Sequence, residues 1–244
     1  MALHFIGIGL GSVKDISIKG LETVKICRKI YLESYTSKLV SSTLDDLKEY
    51  YDKDIIIADR ELVEKKAEET ILRDALKEDT AFLVIGDIFS ATTHVDLMQR
   101  AKKQGIKCTF TNNASVINSI GILGLEIYKY GKTVSIPFNN ENVTSPIINM
   151  KRNKEIGLHT LFLLDLDPIN DKFMTIKQGI EFLLRNGIKE NQMIAGCAGL
   201  GADNPEIRVF KASEVPEFTL FPQCFVVPGE LHFMEEEILD MWKA

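Results

Sequence analysis

The residues best placed to do chemistry stand where short apolar runs end. Gly7-Ile8-Gly9-Leu10-Gly11 follows the run that starts at Leu3. Glycines at such a point permit a tight turn and let a ligand approach the backbone, as a nucleotide-binding loop requires. A dinucleotide fingerprint needs GxGxxG, and the third glycine here comes one residue early. The stretch Ser12 to Ser17 delays the next helix, so no helix N-terminus abuts the loop to hold a pyrophosphate. A nicotinamide dehydrogenase is therefore disfavoured, and taken alone the loop is as well explained by a plain turn. Glu33 ends the next apolar run, where a ribose-binding acid would sit.

Gly86-Asp87-Ile88-Phe89-Ser90-Ala91-Thr92-Thr93-His94 follows the most apolar run of the chain. Ligands of open α/β sheets bind outside the carboxyl ends of strands. A carboxylate at Asp87 could accept from a ribose hydroxyl or an amine, or attract a positive sulfonium. Asp, Ser and Thr also suit a helix start. Thr92 and Thr93 are expected to serve as that cap, while Asp87 is expected to face a ligand. Asn113-Ala114-Ser115-Val116-Ile117-Asn118 opens an apolar stretch where backbone N–H groups and Ser115 could hold a polar ligand. Leu164-Asp165-Leu166-Asp167-Pro168 and Gly199-Leu200-Gly201-Ala202-Asp203 read as turns after strands. His94 is expected to be a satisfied structural histidine. His4, His159 and His232 are scattered, and neither a Ser-His-Asp order nor a metal-ligand spacing can be built from them.

The elements that must position these turns alternate regularly. Strands are predicted at Leu3–Ile8, Ile30–Glu33, Asp54–Ala58, Thr80–Ile85 and Lys107–Thr111. Helices are predicted at Ser17–Ile26, at Ser42–Tyr51 with Ser42 as cap, at Arg60–Lys77 behind Asp59, and at Thr92–Gln104. This β-α rhythm predicts a mostly parallel sheet covered by helices. The texture then changes. A long apolar helix is predicted at Ala114–Tyr128, with strands at Thr133–Pro137 and Thr160–Leu164 and a helix at Thr175–Asn186. Strands at Met193–Ala198, Ile207–Lys211 and Gln223–Val227 lie close enough for hairpins, and a helix follows at His232–Trp242. The expected division is an N-terminal α/β domain, 1–112, and a C-terminal α/β domain with a mixed sheet, 113–244.

Composition narrows the function. A chain of 244 residues can bury a sizeable core without disulfide or metal staples. Its net charge of -6 argues against a direct nucleic-acid binder, which needs a basic surface. Cys27, Cys108, Cys197 and Cys224 form no CxxC pair, so zinc and thioredoxin-like readings lack their spacing and buried free thiols are expected. The first residues lack the basic region of a signal peptide, and no apolar stretch approaches the roughly 20 residues of a membrane span. The expected location is cytoplasmic.

Taken in order, FIGIGLGSVKDISIKGLE, GDIFSATTH, NASVINSIGILGLEIYKYG, LHTLFLLDLD, GLGADNPEIRVF and VVPGELHFMEEE resemble the diphthine synthases, a branch of the tetrapyrrole methylase superfamily. The glycine loop and the Gly-Asp after a buried strand suit the wider group. ATTH and IYKYG pick out the branch. The resemblance implies two α/β domains with S-adenosylmethionine bound in the cleft between them. The implied cofactor contacts are Leu10, Asp87, Ser90, Ser115, Val116, Leu164 and Leu200, together with Gln223, where relatives commonly carry a histidine. It also implies a homodimer acting on the 3-amino-3-carboxypropyl-histidine of elongation factor 2. Archaeal relatives add three methyls to its amine, and eukaryotic ones add a fourth to its carboxylate. The implied reaction is an in-line displacement of S-adenosylhomocysteine by a neutral amine, for which no catalytic base is assigned. Departures include Ile88 in place of a usual proline, Gly199 in place of a frequent arginine, and NNENVTSPIIN in place of a Trp-Arg-Pro-Ser-like stretch. Two alternatives share these residues: a methyltransferase for porphyrinoids, and a non-catalytic relative that binds a translation factor.

Overall fold

A computed structural model describes residues 1–243. The chain divides into two compact units, one of residues 1–117 with 168–170, the other of residues 118–167 and the chain from Asp171 onward.

The first unit is built on β1 (Ala2–Gly7), α1 (Ile18–Ile26), β2 (Lys29–Glu33), α2 (Leu44–Tyr51), β3 (Ile56–Ala58), α3 (Arg60–Glu64), α4 (Ile71–Ala75), β4 (Thr80–Val84), α5 (Val95–Lys103), β5 (Lys107–Thr111) and the start of α6 (Val116–Ser119). Its five strands are all parallel, in the order β3-β2-β4-β1-β5. Side chains alternate between the faces of a strand with period two, and the sequence uses both faces. Leu3, Phe5, Tyr31, Phe82 and Val84 point into one apolar layer. Ile6, Ile8, Ile30, Leu32, Ala81 and Leu83 point into the other. Such continuous apolar strands are what a sheet covered on both faces requires.

Three expected helices are corrected here. The stretch predicted as one helix over Arg60–Lys77 is α3, a 3-10 turn at Ala67–Glu69, and α4. The break persists because Arg100 satisfies the carbonyls it frees: its Nη1 donates to Val63 O at 3.1 Å and Glu64 O at 3.2 Å, with Glu68 clamping the guanidinium. Next, α2 starts behind Thr43, not Ser42, because Thr43 closes a capping box with Asp46. Last, α5 starts at Val95. Thr92 is not a cap, since its Oγ1 donates back to Ile88 O at 2.9 Å.

The second unit continues with β6 (Val134–Ile136), α7 (Ser145–Glu155), β7 (Thr160–Leu164), the short pair β8 (Leu166–Asp167) and β9 (Lys172–Phe173), α8 (Ile176–Arg185), β10 (Met193–Ala198), β11 (Glu206–Lys211), β12 (Gln223–Val227) and α9 (Phe233–Met241). Its main sheet runs β11-β10-β12-β7-β6 and is mixed: β6 and β7 are parallel and the other pairs antiparallel. The long helix expected over Ala114–Tyr128 is replaced by α6 and two 3-10 turns. Gly124 explains the break. It has φ +76°, and a Cβ there would lie 2.3 Å from Ile238 Cγ2. Sequence inspection missed α7, which begins with Pro146 in its first turn and otherwise shows weak apolar periodicity. No helix among the described residues is long and apolar enough to cross a membrane.

Candidate functional site

The parallel sheet brings three of the singled-out turns to one edge. From β1 the chain moves across β4 to β2, whereas from β4 it moves across β1 to β5. The order therefore reverses between β4 and β1, the point where open α/β sheets bind ligands. The loops leaving β1, β4 and β5 are hydrogen-bonded to one another at this point. Gly9 N donates to Gly86 O at 3.3 Å, and Gly86 N to Gly9 O at 2.8 Å. Asn113 Nδ2 donates to Gly7 O and Asp15 O, each at 3.0 Å. A Cβ on Gly7 would stand 2.7 Å from Gly86 O, so only glycine lets the first two loops meet.

Asp87 ties the loops together. Its Oδ1 accepts from Phe89 N and Ser90 Oγ, both at 3.0 Å. Its Oδ2 accepts from Asn112 Nδ2 at 3.0 Å and Asn113 N at 3.1 Å. Burial raises the pKa of this carboxyl, but the bonds from Phe89, Asn112, Asn113 and Ser90 outweigh it and hold the group below its usual value. Asp87 is therefore an ionised carboxylate with its four lone-pair sites engaged. It acts on a ligand through its charge and through the backbone it holds. Leu10 and Ser115 lie beside Gly86, whose missing Cβ would be 3.5 Å from Leu10 Cδ2 and 3.9 Å from Ser115 Cα. Leu10 and Ser90 are half-buried, Ser115 is buried, and half-buried Val116 starts α6 directly behind it. Five of the singled-out residues thus cluster around one loop junction. The donor role of Asn112 was missed; its signal was a second amide next to Asn113 at a strand end.

His94 is buried among Phe82 and Tyr35, edge-on to both. Its Nδ1 donates to Ile88 O at 3.2 Å, the carbonyl that also takes Thr92. Its Nε2 has no partner, which corrects the expectation of a satisfied histidine. Burial drives its pKa down to about 4, so the ring is neutral and braces the loop as an uncharged strut.

The other three residues stand at one end of the second unit's sheet. The register pairs Cys224 with Leu163 and Ala198 with Gln223, so the end of β7, the start of β12 and the end of β10 lie side by side. Leu164, Gln223 and Leu200 are all buried there. Gln223 is a strut: Oε1 accepts from Ile176 N at 2.8 Å, and Nε2 donates to Leu220 O at 3.1 Å. Gly199, with φ +64°, turns the chain after β10 and donates to Pro222 O at 2.9 Å. Asp165 extends the end of β7, accepting from Phe138 N at 2.9 Å and Leu166 N at 3.0 Å. The histidines outside the loop are structural. His4 bonds Thr109, and His159 bonds Glu235.

Comparison with known proteins shows the family. The family model of the tetrapyrrole (corrin/porphyrin) methylases matches residues 2–216. The diphthine synthase of Methanocella arvoryzae is 39% identical over 97% of this chain and 96% of its own length. The diphthine methyl ester synthase of Dictyostelium discoideum is 38% identical over 100% of this chain and 99% of its own. A crystal structure of diphthine synthase superposes with a TM-score of 0.92 at 30% identity, covering 100% of this chain and 96% of the other.

Proposed function

Because the chain belongs to the tetrapyrrole methylase family, among the diphthine synthases, and so is an S-adenosylmethionine-dependent methyltransferase of diphthamide biosynthesis, we propose that it methylates the 3-amino-3-carboxypropyl-histidine of elongation factor 2 in the cytosol. The observation that supports this most is the loop junction at the β4–β1 reversal. It is closed by glycines, edged by Leu10, and holds an ionised Asp87. Such a surface suits a ligand that joins an apolar body to a positive charge. S-adenosylmethionine would supply a methyl group already activated on a positively charged sulfur. We assign its contacts to Leu10, Asp87, Ser90, Ser115 and Val116 in the first unit and Leu164, Leu200 and Gln223 in the second.

The chain's own part is to bind, orient and exclude water. Well-aligned reactants reach effective molarities of roughly 10^5–10^8 M, so alignment can carry most of the barrier reduction. We assign no general base: His94 is buried behind its loop and Asp87 is held ionised by its donors. The near full-length likeness to diphthine synthases argues against the porphyrinoid, dehydrogenase and non-catalytic alternatives. The test is to incubate the chain with S-adenosylmethionine and elongation factor 2 bearing the unmethylated side chain, and weigh the modified peptide. Three added methyls, or four with an ester, are expected; an unchanged mass contradicts the assignment.

We also infer a homodimer. Ile122, Ile127 and Tyr128 on one segment and Phe233 and Met234 on another are 44–82% exposed. Glu126 N, donating to Glu235 Oε1 at 2.9 Å, holds the two segments together. Exposed apolar side chains gathered on two tied segments suit an interaction surface. Light scattering should give the mass of two chains for the wild type and of one for Tyr128→Asp/Phe233→Asp; a monomeric wild type contradicts the dimer.

A further inference from the structure

Building on the methyltransferase reading above, we propose that a groove between the β6–α7 loop and α8 docks the protein substrate, receiving an extended segment that carries a basic side chain. The groove lies wholly within the second unit and encloses about 660 Å³, a size typical of ligand sites. Its floor is apolar, formed by Phe138, Met174 and Leu184. Its rim carries Asn139, Glu141, Gln178 and Glu181.

The wall is held in place before any ligand arrives. Phe138 N donates to Asp165 Oδ2 at 2.9 Å, and Asn140 Nδ2 to Pro137 O at 3.0 Å. Arg185 Nη2 reaches across from α8 to Asn140 Oδ1 at 2.9 Å. Lys172 Nζ sits 4.1 Å from the centre of the Phe138 ring. A preformed wall lowers the ordering cost of binding.

Charge and hydrogen-bonding capacity indicate the occupant. Glu141 and Glu181 are exposed and make no ion pair among the described residues. The one guanidinium of the groove is directed at an amide oxygen instead. Glu141 and Glu181 outnumber the single positive charge of Arg185 among the lining residues, so the rim is net negative, which repels a polyanion and attracts a lysine or arginine. Asn139 presents a side-chain amide, which matches the donors and acceptors of an extended backbone, while the Gln178 oxygen is held by Thr175 in the cap of α8. The apolar floor suits a neighbouring side chain.

Position completes the argument. Asp165, which anchors the wall through Phe138, is the residue after Leu164. Leu164 is one of the assigned cofactor contacts, so a peptide in the groove would enter the second unit's sheet end next to the methyl donor.

The test uses the full chain, the double variant Glu141→Lys/Glu181→Lys, and elongation factor 2 with the unmethylated side chain. Binding is measured by anisotropy, and methyl transfer is measured alongside. The variant should bind the factor roughly tenfold or more weakly, with KM for the factor raised to match and affinity for S-adenosylmethionine unchanged. Glu141→Gln/Glu181→Gln should fall between, and the wild type should lose affinity with added salt more steeply than the lysine variant. If the wild type binds the factor and the lysine variant binds it equally well with the same salt dependence, the groove is not the docking site. If the wild type neither binds nor methylates the factor, the assignment of elongation factor 2 as substrate fails and the docking proposal fails with it.

Discussion

Replacing Asp87 with alanine is expected to weaken S-adenosylmethionine binding by roughly tenfold to hundredfold. The carboxylate accepts four donors from two segments: Phe89 N and Ser90 Oγ in one, Asn112 Nδ2 and Asn113 N in the other. Each hydrogen bond to a charged group contributes about 1.5–3 kcal/mol, and about 1.4 kcal/mol is tenfold in affinity. The variant loses the negative charge and also the bonds that fix the loops after β4 and β5. Asp87→Asn should be nearly as damaging despite its matching shape, because its amide nitrogen would point a donor at other donors. Asn112→Ala, which removes one donor and leaves the charge, should have the smaller effect. Calorimetric titration of the three variants checks the order. Wild-type affinity in Asp87→Ala would mean that neither the charge nor the loop junction serves the cofactor.

The second large effect is on stability. Glu235 is 1% exposed and collects four donors at the start of α9. Oε1 accepts from His159 Nε2 at 3.0 Å and Glu126 N at 2.9 Å, and Oε2 from Lys129 Nζ at 2.5 Å and His232 N at 2.8 Å. His159 Nδ1 accepts from Gly229 N at 3.0 Å, so this imidazole carries its proton on Nε2 and is neutral. Removing one partner of such a buried network typically costs about 3–5 kcal/mol. Glu235→Ala should lose that much in denaturant unfolding, and Glu235→Gln, which keeps the shape, should lose less. A loss in Glu235→Ala below about 1 kcal/mol would show that the network does not hold α9.

The same network sets an acid limb. Burial raises the Glu235 pKa, but the bonds from His232, Lys129, Glu126 and His159 overcome it and bring the group down to about 2 from an ordinary 4.5. Its folded pKa is depressed, so its contribution is complete above pH 4.5 and is lost as pH falls toward 2. Burial also lowers the pKa of His159 from 6.5, against the pull of Glu235. The unfolded chain therefore takes up that proton first, and stability begins to fall below pH 6.5. The limb from pH 4.5 downward should flatten in Glu235→Gln.

Much of the architecture was legible because it rests on short-range rules. The strands around Phe5, Phe82 and Phe225 read directly from apolar runs, and the helices expected at Thr175–Asn186 and His232–Trp242 are α8 and α9, each closed by a capping box. What did not read was decided by distant partners. Arg100 supports the break after α3, and Ile238 leaves room only for glycine at 124. Both partners are far away in sequence, and neither leaves a periodic trace. The loop residues clustered by type and position, and of the two roles expected for Asp87 the folded chain leaves the charge but not the acceptor, because its lone pairs are filled by Asn112, Asn113, Phe89 and Ser90. The apolar pattern could not show the groove by α8, because its floor and rim meet only when the β6–α7 loop folds against that helix.

The measurement that bears most directly on the whole account is calorimetric titration of the wild-type chain with S-adenosylmethionine and S-adenosylhomocysteine. Saturable binding of both near one ligand per chain is the expected result. No heat of binding with either at millimolar concentration would contradict the assignment of the loop junction as a cofactor site, and with it the methyltransferase activity.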